Sequence, residues 1–106
     1  MLKKQYVKSR KVYKVTFSVP KSQYPEGVEI QSLHLVGDFN DWDRSATPME
    51  PTSKGLFRAT LELEPGREYH FRYFLNGEQW LNEWDADGYT KNEFGEDNCV
   101  LHLPLP

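Results

Sequence analysis

The chain has 106 residues, 38% hydrophobic and 27% charged, with a net charge of −3. That length fits one compact domain and leaves little room for a second. The 14% aromatic content and the lack of low-complexity tracts exclude a disordered chain, and no apolar run approaches the roughly 20 residues of a transmembrane helix.

Residues 1–12 read as a basic leader. Lys3, Lys4, Lys8, Arg10, Lys11 and Lys14 place six positive charges and no acid in the first 14 residues, against 7 basic and 16 acidic groups in the remainder. Two readings fit: a phosphate-binding arm, or a solvated leader whose lysines guard a sheet edge. The acidic remainder repels a polyanion, so the second is preferred and no nucleic-acid partner is expected. The first residues run into no apolar stretch ending in small residues, so a secretory signal is not expected. A lone Cys99 cannot form an internal disulfide. Both features predict a cytoplasmic protein, and neither a membrane nor a cofactor is implied.

The domain is expected over residues 13–106. Tyr13, Val15, Phe17 and Val19 alternate with polar residues until Pro20, the pattern of a half-buried strand. Pro25 and Gly27 mark a loop, and Val28 to Val36 reads as a second extended region. Gly37-Asp38-Phe39-Asn40-Asp41-Trp42-Asp43 then turns the chain. A polar connection over residues 45–54 precedes a clean alternation at Phe57, Ala59, Leu61 and Leu63. Glu64-Pro65-Gly66-Arg67 is a short turn before Tyr69, Phe71, Tyr73 and Leu75, and the spacing predicts a hairpin of these two strands. Asn76-Gly77 predicts another reversal. Residues 78–97 read as long and irregular, and Cys99 to Leu103 as the last strand. No helical period extends over ten residues. The chain is therefore expected to be all-β, an immunoglobulin-like sandwich of about seven antiparallel strands.

Fold alone does not specify function, and the unusual content lies in the turns. Trp42 and Trp80 fall in polar loops. Such a tryptophan either caps the end of the sandwich or offers a flat platform for the apolar face of a pyranose ring, with nearby polar groups bonding the hydroxyls.

Val36-Gly37-Asp38-Phe39-Asn40-Asp41-Trp42 resembles the Gly-x-Phe-Asn-x-Trp signature of family 48 carbohydrate-binding modules. These are the early-set sandwich domains of isoamylases, glycogen branching enzymes and the AMP-activated kinase β subunit. Leu63-Glu64-Pro65-Gly66 followed by Tyr69 to Gly77, and Phe94-Gly95 with Asn98, are similar to the family's later blocks, in the same order. The resemblance covers about Val28 to Leu103. It implies non-catalytic binding of an α-1,4-glucan of glycogen or starch type, with Trp42 and Trp80 stacking on glucose units. Arg72, where lysine is usual, and Asn98 would bond hydroxyls, and Phe94, where leucine is common, would supply an apolar contact. Glu96 replaces a frequent threonine, one extra residue precedes Trp80, and Trp84, which has no counterpart, would add to or obstruct a contact.

The alternatives are definite. Arg72 also fits as a cross-strand partner of Glu62. The domain also fits a protein-interaction or regulatory module of a glycogen-metabolising enzyme, with a degenerate sugar site. Catalysis is not expected: Asp38, Asp41, Asp43, Asp85 and Asp87 serve turns, and a catalytic barrel needs about 250 residues. Glu83-x-Asp85-x-Asp87-Gly88 imitates a calcium loop but has Phe94 where a bidentate Glu is required. His34, His70 and His102 stand singly on strands and suggest no metal site. Met1 and the ending Pro104-Leu105-Pro106 favour a complete small protein over an excised enzyme domain. A monomer or weak dimer is expected.

Overall fold

The computed structural model describes residues 1–106. Alternating apolar positions form the strands as their period requires. In β2 (Val12–Val19), Val15, Phe17 and Val19 are buried and the residues between them face outward. The other strands are β1 (Leu2–Val7), β3 (Leu33–Gly37), β4 (Glu50–Pro51), β5 (Phe57–Leu63), β6 (Arg67–Leu75), β7 (Gln79–Leu81), β8 (Gly88–Lys91) and β9 (Asp97–Leu103). Short 3-10 turns occupy Lys21–Gln23 and Asp38–Asn40. No helix is long and apolar enough to cross a membrane.

The strands form two antiparallel sheets that enclose the core. The first has the order β1-β2-β5-β4; the second has the order β3-β6-β9-β8, with β7 added beside β6. Phe17 of the first sheet meets Phe71 of the second edge-to-face, centroids 5.2 Å apart. Leu35, Tyr73, Cys99 and Leu101 complete the fully buried centre. Burial pushes the Cys99 thiol up to about 11 and the Tyr73 phenol well above its usual range.

Four sequence expectations need revision. Strands β5 and β6 do not form a hairpin: they lie in different sheets, and Glu64-Pro65-Gly66 carries the chain between them. Alternation identifies the buried face of a strand but not its neighbour. Leu63 and Tyr69 both face the shared core, and the Tyr69 hydroxyl donates to Glu64 O (3.1 Å), which fixes the crossing. The basic leader contains the edge strand β1, paired from Leu2↔Phe17 to Val7↔Val12. Its lysines masked the apolar period, and they blunt the exposed edge. The region read as irregular contains β7 and β8. Finally, the extended region from Val28 is a strand only from Leu33; before it, Asn76 Oδ1 accepts from the backbone of Gln31 (2.7 Å) and Ser32 (3.1 Å) in place of a ladder.

Candidate functional site

The site is built on the outer face of the second sheet. The residues of β6 that point away from the core are Glu68, His70, Arg72 and Phe74. The register sets Val36 and His34 on one side of them, and Trp80, Asn98, Val100 and His102 on the other. The turn Asn76-Gly77, both residues at positive φ (54° and 69°), returns the chain so that Trp80 pairs with Phe74. Their rings lie 4.6 Å apart.

Trp42 reaches the same face through the turn that follows β3. A Cβ at Gly37 would lie 2.5 Å from His70 O, so only glycine lets this turn close on β6. Asn40 holds the turn from inside. Its Oδ1 accepts from Gly37 N (3.0 Å), and its Nδ2 donates to Leu35 O (2.9 Å) and Thr47 Oγ1 (3.0 Å). Asp41 and Trp42 then both adopt the left-handed region, φ 56° and 58°. This is a costly conformation for tryptophan, of order 1–3 kcal/mol. The gain is position. The Trp42 indole Nε1 donates to Asp38 Oδ1 (2.9 Å), and Asp38 Oδ2 accepts from His70 N (2.7 Å). The indole is thereby fixed to β6, with its N–H already bonded and its ring left to make contact.

The β8–β9 connection supplies the opposite wall. Asn92 Oδ1 accepts from Phe94 N (2.9 Å) and Glu96 N (3.1 Å), and Gly95 at φ 81° completes the turn. Phe94 projects from it and is 80% exposed. Asn92 Nδ2 donates to Asn98 Oδ1 (3.1 Å), which sets the plane of the Asn98 amide.

Arg72 is only 8% exposed. Its Nε donates to Asn82 Oδ1 (2.7 Å) and an Nη to Glu96 Oε1 (2.9 Å), and its guanidinium lies 5.4 Å from the Trp80 ring centre. The cross-strand pair with Glu62 does not exist. Glu62 binds Arg10 on the outer face of the other sheet, with the core between it and Arg72.

Trp42, Trp80, Phe94 and Asn98 line one groove of about 540 Å³, and Arg72 and Glu96 join them in its continuation. The structure thus brings all five residues singled out in the sequence to one concavity. It adds Arg44, which the sequence reading missed. The Arg44 guanidinium lies 5.5 Å from the Phe74 ring centre and 5.7 Å from that of Trp80. Its one sequence signal was a place two residues after Trp42. Trp84 is 66% exposed but lines neither groove. The acidic run beside it is dispersed. Glu83 is buried, paired with the amino group of Met1 and with the Tyr73 hydroxyl (2.8 Å); Asp87 binds Lys4 (2.6 Å). No group of three or more His, Cys, Asp or Glu side chains is placed to hold a metal ion.

A family model described as carbohydrate-binding module 48, the isoamylase N-terminal domain, matches residues 29–90, more than half of the chain. The chain belongs to this family. Its fold is that of the module: two antiparallel sheets in an immunoglobulin-like sandwich. Carbohydrate binding is the function that membership carries. Comparison with curated proteins gives no significant match. Among solved structures, the ferric enterobactin esterase of Salmonella typhimurium superposes with a TM-score of 0.69 at 12% identity. The match covers 97% of this module and 34% of the esterase chain. At that identity the likeness concerns the fold alone, and this chain spans about a third of the esterase's length.

Proposed function

We propose that the groove binds α-1,4-glucan of glycogen or starch type, without catalysis. Glucose units stack on Trp42 and Trp80, and Phe94 makes an apolar contact at the rim. Arg72 and Asn98 bond sugar hydroxyls and set the orientation of the chain. The supporting observation is the meeting of the two tryptophans in one groove, with the Trp42 indole N–H held by Asp38. A pyranose presents an apolar C–H face and a rim of hydroxyls, and this lining offers both kinds of partner. An open groove of this type binds at micromolar to millimolar Kd, about −8 to −4 kcal/mol. In the cell the module would act in the cytoplasm, as an accessory to a glycogen-metabolising enzyme such as a branching or debranching enzyme.

The competing reading is a protein-interaction module with a degenerate sugar site. It draws on the engagement of Arg72 by Glu96 and Asn82, which occupies donors that a sugar would use. Tryptophan fluorescence decides between them. Titration with maltoheptaose and β-cyclodextrin should give a saturable change in the wild type. Cellohexaose should give none, and the folded Trp42→Ala/Trp80→Ala variant should respond to neither α-glucan. A flat wild-type titration to millimolar sugar would overturn the glucan reading.

A further inference from the structure

The outer face of the second sheet does not end at the tryptophans. Beyond His70 and Thr90, which line the first groove, a second concavity continues over Val100 toward Glu68 and His102. The register explains why it is open. His70 pairs with Val100, and Val100 pairs with Gly88. A residue with a side chain at position 88 would stand against Val100, where a Cβ would meet Val100 Cβ at 3.8 Å. Glycine leaves this strip low and Val100 half-buried. His102 stands at its far end, opposite Glu68, with 3.9 Å between Nδ1 and a carboxylate oxygen. The backbone there is fixed: His102 N donates to Asp87 Oδ2 (2.7 Å), and Lys4 from β1 donates both to Asp87 (2.6 Å) and to His102 O (3.0 Å).

We propose that the glucan site extends along β6 from the Trp42–Trp80 groove to Glu68 and His102, and takes a continuous neutral glucan chain longer than the tryptophan pair alone engages. This rests on the glucan reading of the first groove. Phe74 and Glu68 are six residues apart on one strand, a run of about 20 Å. Along that run the face offers an apolar strip at Val100, flanked by hydrogen-bonding groups on His70, Thr90, Glu68 and His102, the alternation that a polyhydroxyl ring requires. The carboxylates of Glu68 and Asp87 make this end unsuited to a phosphate-bearing chain. The extension contains no tryptophan, so it adds affinity by hydrogen bonding and contact, and its contribution is smaller than that of the first groove.

Calorimetric titration of the folded protein with maltotriose and maltodecaose tests this. Wild type is expected to bind the decaose at least tenfold tighter. Glu68→Ala/His102→Ala, both exposed side chains, should leave the maltotriose Kd unchanged and cut the ratio at least threefold. Gly88→Leu, which fills the strip from the neighbouring strand, should do the same. A wild-type ratio in both variants overturns the extension while leaving the first groove intact. Binding of neither sugar by wild type overturns the glucan reading, and the extension with it.

Discussion

The two sheets share one core but differ on their outer faces. On the first sheet, β5 alternates regularly between inward and exposed positions, and its outward neighbours are ordinary: Thr16 opposite Thr60, Lys14 opposite Glu62, Ser18 opposite Arg58. On the second, β6 is buried on both faces from Phe71 to Leu75. A half-exposed antiparallel sheet needs only one apolar face. The outer cover of β6 comes from Val36, Trp80 and Arg44, none of which the core requires. Aromatic rings with guanidinium groups stacked on them occur on this outer face and not on the other, and that is what sets the proposed binding face apart from a solvated one.

The largest effect that tests this contrast is on binding. Trp42→Ala/Trp80→Ala is expected to weaken maltoheptaose at least a hundredfold, about 3 kcal/mol. Thr16→Ala/Thr60→Ala, the matched change on the first sheet, should leave the fluorescence titration unaltered. An equal loss from both pairs would erase the distinction.

Stability gives the next test. Phe74→Ala removes the ring beneath Trp80 and Arg44 and should cost about 3 kcal/mol in urea denaturation. Thr60→Ala should stay within about 0.5 kcal/mol.

Alkali sharpens the comparison, because the second sheet also carries buried ionisable groups. Cys99 has its folded pKa raised from 9.0 to about 11, so above pH 9 the unfolded chain loses a proton that the folded chain retains. Stability should therefore fall as pH rises from 9 to 11, and Tyr73 should extend the fall above pH 10. Cys99→Ala should flatten the first part of a plot of Tm against pH. An unchanged slope in that variant would remove Cys99 as the cause.

The smallest effect is expected at Arg72. Arg72→Lys loses the fork that reaches Asn82 and Glu96 together and should weaken glucan about threefold, with little change in Tm. A gain in affinity would mean that the Glu96 contact holds the guanidinium away from the sugar.

Much of this was legible in the residues. The strands β2 and β5 are carried by regular alternation, and β6 and β9 by apolar residues at every second position from Tyr69 and from Cys99, a signal that survives any choice of partner. What alternation lacks is information about pairing, and so β5 and β6 were joined in one sheet when each faces the core from its own side. β1 was hidden because Lys3, Lys4 and Gln5 run together between Leu2 and Tyr6 and break any period, and β7, with three residues, is too short to show one. The two tryptophans stood out through turn chemistry, since Gly37 to Trp42 and Asn76-Gly77 demand tight reversals wherever they fall; Phe94 and the roles of Arg72 and Asn98 came from the resemblance to the module family. The interactions within the site were not legible. Arg72 and Glu96 lie 24 positions apart, and only the register of β6 with β9 makes them neighbours. Arg44 has only its place two residues after Trp42 as a signal until Phe74 and Trp80 are seen beneath it.

The carboxylate of Asp38 has one further consequence. It joins an indole on one segment to a backbone amide on another, so the ordering of the Trp42 platform is completed once, when the chain folds. Little of the indole's own conformational freedom remains to be lost at the moment of encounter. Capture of the proposed glucan then needs no reorganisation of this indole, and contact can be brief. On a polymer of identical steps, a rigid platform of this kind can let go of one unit and settle on the next without leaving the strand.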